Sequence, residues 1–129
     1  MLISCFMSSS LHNMYMVSSE TINSALKEYL NTTPDVARLD IYIKNNRLES
    51  QREVIVEELN SAVKSTEDYI YDWVEANPIG ILWTEGFRSQ YIQHLLSKHF
   101  WLDEDSLARL LSFSSWLCWH EGFNAGGLK

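Results

Sequence analysis

The sequence predicts an all-α protein: a compact bundle of four or five helices, mostly with antiparallel neighbours, behind a loose N-terminal extension. Three observations predict it. Apolar residues recur at helical spacing through most of the chain, a capping residue stands at the head of each apolar run, and the joints between runs are short, as in helical bundles. At 129 residues, with 46% hydrophobic and 21% charged side chains, the chain has the size and composition of one globular domain around one core. The expected layout is an extension over 1–16, a helical domain over 17–123 and a flexible tail over 124–129.

The first seven residues carry no basic side chain ahead of a short apolar run, and a polar stretch follows. This satisfies neither a signal peptide nor a membrane span. Met14 and Met16 stand immediately before a strong helix start, which makes either a candidate for the natural initiator. Ser18 then caps a helix over 18–31, with Val17 and Ile22 as the ends of a hydrophobic staple and Ala25, Leu26, Tyr29 and Leu30 continuing the stripe. Thr33, followed by Pro34 in the first helical position, starts the next helix, over 34–46, with Val36, Leu39 and Ile43 on one edge. Residues 38–48 also alternate, with Asn45-Asn46 as a possible hairpin turn. Helix is preferred, because the segment after that turn is rich in Glu, Ser, Gln and Arg and makes a poor strand.

Ser50 and Glu53 form a capping-box pattern for the longest helix, over 50–76, whose core positions are Ile55, Leu59, Ala62, Val63, Ile70, Trp73 and Val74. A second start signal at Ser65-Thr66 allows a kink near Lys64. After Pro78 an apolar linker over 79–83 leads to Thr84, the cap of a helix over 84–99 that buries Phe87, Tyr91, Ile92, Leu95, Leu96 and His99. The last helix, over 103–121, has Asp103 as cap, Leu102 and Leu107 as staple, acidic residues in the dipole-favoured first turn, and Gly122 as a left-handed stop. Leu107, Leu110, Leu111, Phe113, Trp116, Leu117, Cys118 and Trp119 exceed what one stripe holds at about 100° per residue. That helix is therefore either the central rod of the bundle or the seat of a second surface, and Ser112, Ser114 and Ser115 are small enough to let another helix approach.

A net charge of −7 with 10 Lys and Arg residues argues against direct nucleic-acid binding and against an anionic membrane as ligand. Two cysteines, Cys5 and Cys118, do not resemble a disulfide framework, so a cytoplasmic location is expected. Cys118 and His120, or His94 and His99, diverge too far around a helix to share an ion, so neither a metal nor a cofactor is expected. No nucleophile motif or phosphate-cradling loop is present.

Nine of the 16 aromatic residues fall between Ile79 and Phe123. Besides core packing, this cluster offers candidate binding residues: Trp83, Glu85, Arg88, Trp116, Trp119 and His120. A candidate acidic partner surface comprises Glu49, Glu53, Glu57, Glu58, Glu67, Asp68, Asp72 and Glu75. Size and charge are similar to those of immunity-type and mobile-element accessory proteins, a likeness of composition only. The leading expectation is a small, acidic, non-enzymatic interaction or regulatory protein that binds a protein partner or itself, most simply as a homodimer. A helical module with a Trp-lined small-molecule pocket is one alternative, and an enzyme using His120 with Glu85 or Glu121 as acid and base is the other.

Overall fold

Ser18 opens the first helix with extended backbone and a hydroxyl that accepts from the Thr21 amide at 3.0 Å. The computed structural model describes residues 17–76 and 85–122. Five helices follow in order: α1 (Ser19–Tyr29), α2 (Val36–Asn45), α3 (Arg52–Ala76), α4 (Glu85–Lys98) and α5 (Glu104–Glu121), with a 3-10 turn at Glu49–Gln51 ahead of α3. The all-α expectation holds, and no strand is found among the described residues. The expected extension, tail and linker, with Cys5, His12, Trp83 and the Thr84 cap, lie outside them.

In α1, Ile22, Ala25, Leu26 and Tyr29 are buried, and Val17 joins them. The start of α2 differs from expectation. Leu30 and Pro34 pair in an isolated bridge, which holds Pro34 in extended backbone outside the helix. Asp35 therefore becomes the cap in place of Thr33 and accepts from the Arg38 amide at 3.1 Å. The residues over 36–45 are helical rather than a hairpin, and Leu39 and Ile43 face inward while Val36 is 53% exposed. This helix stops on a left-handed residue, Arg47 (φ 56°). The Leu48 amide then donates to the Ile43 carbonyl and the Arg47 amide to that of Lys44, the pairing of a Schellman stop.

Because the chain leaves Arg47 already turning, winding begins at Glu49 and Ser50 lies inside the 3-10 turn rather than capping α3. α3 is continuous through Ser65-Thr66. Thr66 is fully buried and its hydroxyl bonds sideways to that of Tyr91 at 3.0 Å, so the polar pair serves packing instead of a second helix start. The Tyr91 hydroxyl also accepts from Ser114 at 3.2 Å, which ties α3, α4 and α5 at one buried point. Burial pushes the Tyr91 hydroxyl up to about 12, against the lowering effect of these two bonds.

Phe87, Tyr91 and Leu95 form the buried line of α4, continued by buried His99 just past its end; Ile92 is half-buried and Leu96 turns to solvent. Spacing of four residues throughout keeps that line narrow. Tyr69, Trp73, Phe87, Tyr91 and His94 build an aromatic layer between α3 and α4, with Trp73 and Phe87 edge to face at 4.8 Å. Much of the aromatic content is thus core, as ring pairs at such distances favour.

α1 packs on α2, α3 and α5, while α3 also contacts α4 and α5. Fully buried Ile22, Leu26, Ile55, Leu59, Ile70 and Leu110 lie in this core, each contributing roughly 1.5–3 kcal/mol by removal from water. Asn23 is buried among them. Its amide and carbonyl bond the Ser19 and Trp101 carbonyls, the Asp103 amide and the Ser106 hydroxyl, so that α1 is pinned to the corner before α5.

Candidate functional site on the outer face of the last helix

α5 begins where Asp103, in extended backbone, accepts from the Ser106 amide at 2.8 Å, and ends where Gly122 (φ 80°) donates to the Cys118 and Trp119 carbonyls. Both ends match the sequence. Ser106, Leu107, Leu110, Phe113, Ser114, Leu117 and Cys118 are its buried residues, and they form one stripe at helical spacing. The helix is covered on that side by its own bundle. Its opposite side carries exposed Ala108, Ser112, Ser115 and Trp119, flanked by half-buried Leu111 and Trp116.

Trp119 is 69% exposed. Trp116 lies between two rings: it stacks on buried Phe113 at 5.9 Å and on exposed His120 at 4.7 Å, nearly parallel to the latter at 9°. The result is a ladder of rings from core to surface. A shallow depression runs along this face, lined by Ser112, Ser115, Trp116 and Trp119. All four belong to one helix, so it can grip a partner from one side.

The sequence-derived binding set is therefore divided. Trp116, Trp119 and His120 come together on α5. Glu85 and Arg88 are exposed near the head of α4 and share no hydrogen bond, ion pair or ring contact with those three among the described residues. Trp83 lies outside the described residues. Ala108 was missed by sequence reasoning, although its place four residues before Ser112 on a helix puts it on the same side.

The acidic set is divided too. Glu49, Glu53, Glu57, Asp68, Asp72 and Glu75 are exposed. Glu58 turns inward: its carboxylate accepts from the Trp101 indole at 3.0 Å, and burial raises its titration, opposed by that bond. Glu67 is half-buried. The local cations are turned to particular carboxylates, Arg52 to Asp40 at 2.9 Å and Lys64 to Asp68 at 3.2 Å. Exposed pairs of this kind contribute little to stability.

The three histidines among the described residues occupy different settings. His120 is on the surface. His94 rests 4.8 Å from the Tyr69 ring, and burial, then Lys98, lowers its titration against a raising effect of Asp72. His99 is buried, with its Nε2 2.8 Å from Ser65 Oγ, and burial followed by Lys98 and His94 brings it down to about 4. The Ser65 and His99 pair ties α3 to the residue just past the end of α4.

Among the described residues no three His, Cys, Asp or Glu side chains converge on a possible metal position, and no helix is long and apolar enough to cross a membrane. Compared with known proteins, the chain matches no protein family, no curated protein and no solved structure.

Proposed function

We propose that this chain is a small, non-enzymatic interaction protein that docks through the outer face of its last helix. The observation that carries this reading is Trp119, an indole mostly in solvent on a helix whose other side is already buried. Tryptophan is among the residues that most often dominate binding when a partner desolvates it. Half-buried Trp116 beside it, with small Ser112 and Ser115, supplies a surface that is apolar, shallow and open to another protein. A buried, unpaired Cys118 is consistent with work in a reducing cytoplasm.

A second contact, with a basic protein surface, is favoured by the exposed row of Glu49, Glu53 and Glu57, running from the 3-10 turn into α3. Such a row speeds encounter with a cationic partner and loses that effect at high salt.

A photo-crosslinking amino acid placed at Ser115, compared with one at exposed Ser61 on α3, tests the primary reading in the cells that make the protein. Protein adducts from position 115 that the Ser61 probe does not give are expected. Equal or absent adduct formation at position 115 overturns the reading.

A further inference from the structure

No further inference is drawn: the strongest candidate, the apolar row of half-buried Ile92 with exposed Leu96 and Phe100 on the outer side of α4 and the turn after it, is an unpartnered face, and nothing among the described residues shows what covers it.

Discussion

The side-chain amide of Asn23 donates to the main-chain carbonyl of Trp101 at 2.7 Å, across 78 residues of sequence. With the bonds to Ser19, Asp103 and Ser106, both amide hydrogens and both acceptor positions are used. Asn23→Ala strands several buried groups at once and should cost at least about 2 kcal/mol in urea unfolding. Asn23→Asp should be no better, because it points an acceptor at two carbonyls. A loss below about 0.5 kcal/mol for both variants would contradict this assignment.

His99 should make the fold sensitive to mild acid. Burial brings its ring down to about 4 when folded, against an ordinary value of 6.5. Between those values the unfolded chain binds more protons, so stability falls as pH drops through the window, by up to about 3 kcal/mol in total. Glu58, raised by burial, acts in the opposite direction as it protonates, so the comparison must isolate the histidine. His99→Gln keeps a hydrogen-bonding group near Ser65 and removes the titration. Its unfolding free energy should decline less than that of the parent between about pH 7 and about pH 5; parallel declines would reject the role.

Arg47 holds a left-handed backbone, φ 56°, where a side chain is disfavoured. Arg47→Gly should raise stability by about 0.5–1 kcal/mol, since the relief of strain exceeds the added freedom of the unfolded chain. Arg47→Ala should give no such gain. Thermal and urea unfolding of the two variants separate these outcomes, and destabilisation by glycine would show that the long Arg47 side chain matters more than its backbone.

Cys118 is fully buried, and burial pushes its thiol up to about 11. It should remain a thiol and resist iodoacetamide in the folded protein, then react on unfolding. Peptide mass mapping reports this position by itself. Rapid alkylation under native conditions would mean that α5 opens far more readily than its packing implies.

The helices were legible because their apolar spacing is local: Ile22, Leu26 and Tyr29, or Leu110, Phe113 and Leu117, declare a buried side without knowledge of its partner. Caps were legible where a staple residue stands directly before them, as Val17 does at Ser18 and Leu102 at Asp103. They failed where two signals competed, since Thr33 and Asp35 are both good caps and the bridge from Leu30 to Pro34 decides between them. Thr66 read as a helix start because its partner, Tyr91, is remote in sequence. The same limit applies to the site. An excess of apolar residues on α5 was visible, yet which of them face outward depends on where α1, α3 and α4 lie. Glu58 belongs to the acidic run by sequence and to Trp101 by contact.

The bonds of Asn23 also order events in time. Three of its four bonds go to residues 101 to 106, so during synthesis its side chain has only the local Ser19 carbonyl until most of the chain has been made. Closing so long a loop is entropically slow relative to forming α1 and α2 side by side. Burial of Asn23 is therefore a late event, and slowing it should leave an intermediate in which the first helices are formed while the corner before α5 still exchanges its amide hydrogens with water.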